Sequence, residues 1–144
     1  MVAIGAGALN ATTTGDSNVA VGYYAGSSNT TGSQNIYIGD YAAQGATTGS
    51  NNVVIGARAG YLSLTTGNNN ILIGQSAIVN SGADTQELVI GTGSATGKGS
   101  STGFINPASG GVYQGNNSST WSTTSDRRLK KNIVDNNTGL EKIT

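Results

Sequence analysis

The chain repeats a short phrase every 17 residues, and this period restricts its possible folds more than any other feature. The phrase ends in glycine and occurs six times, as VAIG, NVAVG, NIYIG, NVVIG, NILIG and ELVIG. The successive closing glycines are 17, 17, 17, 18 and 17 residues apart: Gly5, Gly22, Gly39, Gly56, Gly74 and Gly91. Self-similarity at a fixed short period is typical of solenoids, in which each repeat packs only on its neighbours.

Each repeat predicts one short strand followed by a turn. The two aliphatic residues of the phrase occupy alternate positions, so in a strand both side chains point to the same face. The glycine that follows permits a positive φ or a close backbone approach, and the recurring TTG segment has turn chemistry. Frequent Gly and Thr, without a 3.6-residue period, argue against helix. The aliphatic pairs are Val2/Ile4, Val19/Val21, Ile36/Ile38, Val53/Ile55, Ile71/Ile73 and Leu88/Ile90.

Stacked copies of this unit would bring identical side chains together in ladders, about 4.8 Å apart. An asparagine precedes four of the strands, and we expect these four to form an amide ladder; the alternative is that Asn only favours the preceding turn. The apolar stripe of each repeat is small, two aliphatics and an alanine. We therefore expect one solenoid to bury little surface and to be stabilised by association. The asparagines are Asn18, Asn35, Asn52 and Asn70.

Composition excludes several classes of function. The 144 residues have a formal net charge of zero, with no cysteine and no histidine. This excludes disulfides, Cys- or His-ligated zinc, thiol nucleophiles and His-based triads. No apolar run approaches the roughly 20 residues that span a membrane, so no membrane insertion is expected. We expect no nucleic-acid partner, no metal site and no cofactor.

The repeats SNVAVGYYAG and NNVVIGARAG resemble those in the heads of trimeric autotransporter adhesins and in some phage tail-fibre shafts. The resemblance covers residues 1–95 and implies a β-roll or β-solenoid in which three chains share an axis. The expected fold is thus all-β, a stacked solenoid of 17-residue repeats in an intertwined homotrimer.

Tyr24, Tyr41 and Arg58 each lie two residues after a repeat glycine, so we expect them to form one column on the outside of the shaft. Exposed tyrosines flanked by Asn and Thr could contact a glycan on a host cell surface. The alternative, which we favour, is aromatic and cation–π stacking that stabilises the ladder.

The 17-residue period stops near residue 95. Residues 96–124 are rich in Gly, Ser and Thr but contain short apolar clusters. We expect an irregular, extended, intertwined neck with short strands; a flexible linker is the alternative. Residues 125–144 are predicted to form a short helical stub, because Leu129 and Ile133 are spaced by one helical turn.

Four basic side chains fall within residues 127–131, whereas residues 1–124 carry only two. A nucleic-acid patch would need interleaved aromatics or a recognisable fold, and neither accompanies them. The string SDRRLKKNI instead resembles the start of the endosialidase-type, self-cleaving intramolecular chaperone at the C-terminus of phage tail spikes and tail fibres. The resemblance implies that Ser125 is the nucleophile, Lys130 the general base, and the bond between Thr124 and Ser125 the cleavage site.

A serine hydroxyl needs an adjacent base, and lysine can serve only when burial or nearby cations lower its pKa. The family's chaperone is much longer than the residues that follow Ser125 here. Serine-type self-cleavage is therefore expected only with the full chaperone domain. The shaft itself is not expected to be an enzyme, because its four carboxylates form no evident acid/base pair. These are Asp16, Asp40, Asp84 and Glu87.

Together these patterns predict a structural segment of a phage tail fibre or tail spike, located in the virion tail and serving attachment to the host. The alternative is a trimeric bacterial surface adhesin or a self-assembling extracellular filament.

Overall fold

The computed structural model describes residues 1–107, 111–115 and 121–123, and these residues are all-β. Nine strands form one sheet in chain order. The first seven pair in parallel, and the last two add as antiparallel strands. The prediction of a stacked β-solenoid is confirmed. The strands are β1 (Val2–Ile4), β2 (Val19–Val21), β3 (Ile36–Ile38), β4 (Val53–Ile55), β5 (Ile71–Ile73), β6 (Leu88–Gly91), β7 (Gly103–Asn106), β8 (Val112–Gln114) and β9 (Trp121–Thr123).

Each turn of the solenoid, called a rung below, stacks on the next with its repeat positions aligned. In the pairing of β3 with β4, Ile36 lies beside Val53 and Ile38 beside Ile55. The same register holds between β4 and β5, although that step is 18 residues long. The extra residue is therefore accommodated outside the strands.

The interior of the solenoid is filled by the residue between the two aliphatics of each strand, and not by the aliphatics themselves. Tyr37 is fully buried, whereas its neighbours Ile36 and Ile38 are 37% and 38% exposed. The stripe of two aliphatics and an alanine expected for each rung therefore needs correction, because only the alanine belongs to the interior. The buried strand centres are Ala20, Tyr37, Val54, Leu72, Val89 and Phe104, and the buried alanines that lie three residues after a repeat glycine are Ala25, Ala42, Ala59 and Ala77.

The alternation of side chains between the two sides of a strand, called parity below, explains this orientation. Each buried asparagine lies two residues before a strand centre, so both side chains point to the same side of the backbone. Asn35 and Tyr37 are both fully buried. An amide ladder inside the solenoid therefore directs the strand centres inward and the aliphatic pairs outward.

Large and small side chains complement one another between rungs. A Cβ added to Gly26 would lie 2.8 Å from Cε2 of Tyr37, so the tyrosine ring occupies the space that this glycine leaves. Leu64 is fully buried at the position where the preceding rung has Ala46. The interior is therefore packed by compensation between neighbouring rungs and not by identical layers.

The repeat glycines are required by the closeness of the rungs. Gly39 has a φ of 135°, and a Cβ there would lie 2.5 Å from the carbonyl oxygen of Gly56 in the next rung. Any side chain would have to push the two backbones apart and also adopt a φ that L residues rarely adopt.

The 18-residue rung takes up its extra residue in a wider corner. In the preceding rung the amide of Ala46 donates to the carbonyl of Ala43, three residues back. Here the amide of Leu64 donates to Gly60, four residues back. Leu62 lies at the tip of this corner with a φ of 50° and is 61% exposed.

Parallel stacking continues beyond residue 95. The strand β7 pairs with β6 at a 15-residue step, with Leu88 beside Gly103, before the antiparallel strands β8 and β9 follow. The segment predicted as the neck thus begins within a seventh turn and contains short strands. In the part of the chain that the structure describes, no helix is long and apolar enough to cross a membrane.

Candidate functional surfaces

The buried asparagines form the predicted amide ladder along the inside of the solenoid. The side-chain amide of Asn35 donates to Oδ1 of Asn18 at 3.1 Å and to the carbonyl of Gly49 at 2.9 Å. The backbone amide of Asn35 also donates to Oδ1 of Asn18, at 2.9 Å. Asn52 makes the same three bonds one rung further on. The amide-ladder prediction is confirmed, and it makes the asparagines structural.

Glu87 takes the asparagine position in the sixth rung and ends the ladder. Its backbone amide donates to Oδ1 of Asn70 at 2.9 Å. Its carboxylate is 1% exposed and accepts bonds from the backbone amides of Gly99, at 2.7 Å, and Asn80, at 3.3 Å. The carboxylate therefore fastens the last turn to the sixth rung, a structural role that sequence analysis did not assign to it.

Four aromatic rings form a surface that we call the tyrosine ridge: Tyr23, Tyr24, Tyr41 and Tyr61. The rings of Tyr24 and Tyr41 are nearly parallel, with centroids 5.9 Å apart. Tyr23 meets both rings edge-on, at 4.6 and 5.3 Å. Tyr61, from the wide corner, meets Tyr41 edge-on at 5.8 Å. The column predicted from spacing thus stacks at Tyr24 and Tyr41, and two further tyrosines complete it.

The backbone explains why these side chains project outward. Tyr24, Tyr41 and Arg58 all adopt left-handed φ values, between 51° and 56°, at the same corner of successive rungs. Arg58 is exposed at this corner. Within the described residues, the cation–π contact joins Lys98 to the ring of Phe104, at 4.7 Å, and not Arg58 to a tyrosine.

Two tyrosine hydroxyls have raised pKa values. Burial raises the pKa of Tyr37, whose hydroxyl has no hydrogen-bond partner among the described residues. Partial desolvation on the ridge raises the pKa of Tyr41, with further contributions from Tyr23 and Asp40. Both tyrosines therefore remain protonated at physiological pH.

The outward aliphatics form a continuous surface that we call the aliphatic face. Seven of its twelve side chains are at least 36% exposed, and the strands β1–β6 that carry it contain no charged residue. The first column is Val2, Val19, Ile36, Val53, Ile71 and Leu88, and the second column is Ile4, Val21, Ile38, Ile55, Ile73 and Ile90.

The aliphatic face has polar borders and an apolar groove at one end. Beside the first column lies an exposed neutral polar column of Ser17, Gln34, Asn51, Asn69 and Gln86. Beyond the second column come the repeat glycines and then the tyrosine ridge. At the last turns, Ile73, Ile90, Ile105 and Pro107 line an apolar groove of about 310 Å³. This face is the largest feature that sequence analysis missed. The signal for it was the two-residue spacing between each asparagine and the strand centre, which places the aliphatic pairs on the opposite side of the strand.

Ser125, Lys130 and the scissile bond between Thr124 and Ser125 lie outside the described residues, as does the predicted helical stub. The catalytic roles implied by the resemblance therefore stay predictions.

Two of the shaft carboxylates accept hydrogen bonds within the solenoid. Asp84 accepts bonds from the amide of Ser81 and the hydroxyl of Ser100, and Glu87 accepts bonds from the amides of Gly99 and Asn80. The described residues contain no group of three or more Asp, Glu, His or Cys that could hold a metal.

Comparisons with family models, with curated proteins and with solved structures found no match for this chain. Functional inference therefore depends on the surfaces described above and on the sequence resemblances.

Proposed function

We propose that this chain is a structural segment of a phage tail fibre or tail spike that serves attachment of the virion to its host. The observation that carries the proposal is the unbroken parallel register from β1 to β7. Seven strands at about 4.8 Å per step form a rod on the order of 30 Å long, stabilised by hydrogen-bonded ladders along its length. Such a rod is suited to act as a spacer.

The proposal includes a homotrimer and a maturation step at the C-terminus. Non-local β structures pay loop-closure entropy before their contacts form, so they assemble slowly. A C-terminal trimeric chaperone would hold three chains in register during assembly. Cleavage before Ser125 would then remove it and make unfolding hard to reverse.

Mass spectrometry and light scattering on the full-length chain test this proposal. Wild type is expected to form trimers and to be cut between Thr124 and Ser125, whereas Ser125→Ala and Lys130→Ala are expected to form uncut trimers. Lys131→Ala is a matched control that should be cut like wild type. Monomeric, uncut protein in every case would contradict the proposal.

The alternative is a trimeric bacterial surface adhesin or a self-assembling extracellular filament. It rests on the same solenoid and the same repeat resemblance. A signal peptide or membrane anchor encoded in the same gene would favour it over the virion assignment, as would labelling of intact bacterial cells by antibodies against the shaft.

The tyrosine ridge supports a second candidate function, contact with a host cell-surface glycan. Tyr23 and Tyr61 are 48% and 38% exposed, and Arg58 beside them offers donors for sugar hydroxyls. Rigid aromatic rings give large contact area at low entropic cost.

Alanine substitution of each ridge tyrosine and of Arg58 tests the glycan function, by glycan-array binding and melting temperature. Arg58→Ala, which removes no ring contact of the ridge, is expected to reduce binding without lowering the melting temperature. Tyr24→Ala and Tyr41→Ala are expected to reduce both. Gln75→Ala, exposed at the equivalent corner of the fifth rung, is the control. Unchanged binding in all ridge variants would contradict a glycan role.

A further inference from the structure

We infer that the aliphatic face is the surface through which copies of this chain pack together, with the first column of one copy against the second column of the next. The inference rests on the proposed homotrimer and identifies its interface. It adds that the copies run in the same direction, rung beside rung, and that Leu88 of each copy enters the apolar groove of its neighbour.

The size and composition of the aliphatic face suit an interface. Twelve aliphatic side chains, seven of them at least 36% exposed, offer apolar surface on the order of 700 Å². In a trimer each copy divides this surface between two contacts, one column to each, and the three copies together bury on the order of 2,000 Å². Contiguous apolar patches of this size on soluble proteins mark interaction sites.

The solenoid's own interior does not use these side chains. Strand centres such as Val54 and Leu72 are fully buried, while Ile55 and Ile73 next to them remain more than a third exposed. Outward positions on a strand could hold threonine, or charged residues that prevent association. Every rung with a VxIG-type phrase holds two aliphatics there instead, so the face is built for burial outside the single solenoid.

An identical copy is the partner that matches this face. Its rungs have the same spacing of about 4.8 Å, so the side chains of two copies can interlock rung by rung over the whole length. The strands β1–β6 carry no charged residue, so two identical faces do not repel each other. The neutral polar column on one border and the tyrosine ridge beyond the other provide the polar rim typical of interfaces.

The groove at the last turns gives the packing its direction. Leu88 is the single leucine of the first column, and its side chain reaches further than the β-branched residues above it. In a parallel, in-register assembly, Leu88 lies at the level of Ile90 in the neighbouring copy. There the groove is lined by Ile73, Ile90 and Ile105. An antiparallel pair would place this groove opposite the first rungs.

Because the chain contains no cysteine, disulfide trapping in the full-length protein tests the inference directly. The double variant Ile36→Cys/Ile38→Cys is expected to give covalent trimers on oxidation, as each first-column thiol meets a second-column thiol of the next copy. Each single variant is expected to remain uncrosslinked. Dimers from a single variant would show that identical columns meet, and dimers without trimers from the double variant would show a two-fold pair. Either result, or no crosslink at all, would overturn the inference.

Oligomeric mass separates this inference from the proposed homotrimer. Ile38→Lys is expected to lower the mass measured by light scattering from three chains to one, with far-UV circular dichroism retained because the side chain is 38% exposed. Thr31→Lys, an exposed site in the preceding turn, should stay trimeric. If Ile38→Lys also stays trimeric and the double-cysteine variant does not crosslink, the homotrimer stands but this interface is wrong. A monomeric wild type would contradict both the homotrimer and the interface.

Discussion

At the scale of single residues, the solenoid depends on positions where backbone geometry leaves no choice of side chain. Gly39 lies where a Cβ would meet the backbone of the next rung. Tyr37 fills the space beside Gly26, but its hydroxyl is buried without a partner among the described residues. Position 39 therefore tolerates no side chain, whereas the stability contributed by position 37 can be increased by substitution.

We predict that Gly39→Ala lowers the free energy of unfolding by at least about 3 kcal/mol, because it combines a backbone clash with a φ that alanine rarely adopts. Urea denaturation followed by circular dichroism measures the change. Gly115→Ala is the matched control: nothing lies within 4 Å of a Cβ there, so its effect should stay within about 0.5 kcal/mol. Equal effects from the two substitutions would contradict the close-stacking argument.

Tyr37→Phe is expected to be neutral or to stabilise by about 1 kcal/mol at pH 7, because it removes an unsatisfied buried hydroxyl and keeps the ring. Since burial raises the pKa of Tyr37, the folded state keeps a proton that the unfolded chain loses above about pH 10. Stability therefore falls as pH rises beyond that value, by up to ~1.4 kcal/mol per unit for this group.

Chemical denaturation of wild type and Tyr37→Phe between pH 8 and 12 measures this dependence (the range is about two units to either side of the ordinary tyrosine pKa). The variant should show a shallower loss above pH 10. Because Tyr41 also has a raised pKa, some slope is expected to remain. Parallel curves for the two proteins would show that Tyr37 does not contribute.

At the scale of elements, the amide ladder contributes more to the stability of the stack than the strand propensity of the residues does, since each strand has only three or four residues. Each inner asparagine makes three hydrogen bonds that cross rungs, all of them buried. Buried networks of this kind stabilise only when every member is satisfied. Loss of one member thus affects the rungs on both sides.

Asn35→Ala is expected to cost about 2–4 kcal/mol, because the buried backbone amide of Asn52 and the carbonyl of Gly49 lose their bonds to the Asn35 side chain. Oδ1 of Asn18 keeps only its bond from the backbone amide of residue 35. Thermal unfolding of the variant would give the value. Asn10→Ala, at an exposed corner position, should cost less than about 0.5 kcal/mol. A cost for Asn35→Ala below 1 kcal/mol would mean that the ladder contributes little.

Much of this element structure was predictable from sequence, and the missing part has a physical cause. The strands lie where the V-x-I-G phrase placed them, and the asparagines form the expected ladder. In each three-residue strand, however, the central side chain points to one face of the sheet and the two flanking side chains point to the other. Because all three are apolar, the sequence pattern alone does not say which face lies inside the solenoid. Tyr37 and Leu72 therefore escaped assignment to the core, and the aliphatic pairs were not recognised as an outer surface. Of the two extra ridge tyrosines, Tyr61 comes from the wide corner, which no local pattern predicts.

At the scale of the whole molecule, the fold is a one-dimensional stack whose length can change by whole rungs. Each rung contacts only its neighbours, so stability is approximately a sum over rungs and their interfaces. The seventh turn shows the limit of prediction here. Its 15-residue step and its GFIN strand share neither the period nor the phrase, and only the pairing of β6 with β7 identifies it.

We predict that deleting residues 53–70, one complete rung, leaves a folded rod shorter by about 5 Å. The deletion joins Asn52 to Ile71, so ladder and parity continue. Deleting residues 53–71 instead joins Asn52 to Leu72, so the ladder asparagine and the strand centre can no longer both face inward. Circular dichroism and small-angle X-ray scattering distinguish the two. Equal folding of both deletions would show that register does not depend on parity.

The direction of the hydrogen bonds determines how such a rod responds to force. The strands run across the long axis, so their pairing bonds, such as that from the Val19 amide to the Asn35 carbonyl, point along it. A pull along the rod would load these bonds one interface at a time, and the rungs would peel apart in sequence. A sideways force would instead be shared by many rungs. A single solenoid of this kind is thus weakest when it is pulled along its axis, and lateral packing of several copies would be its main source of tensile strength.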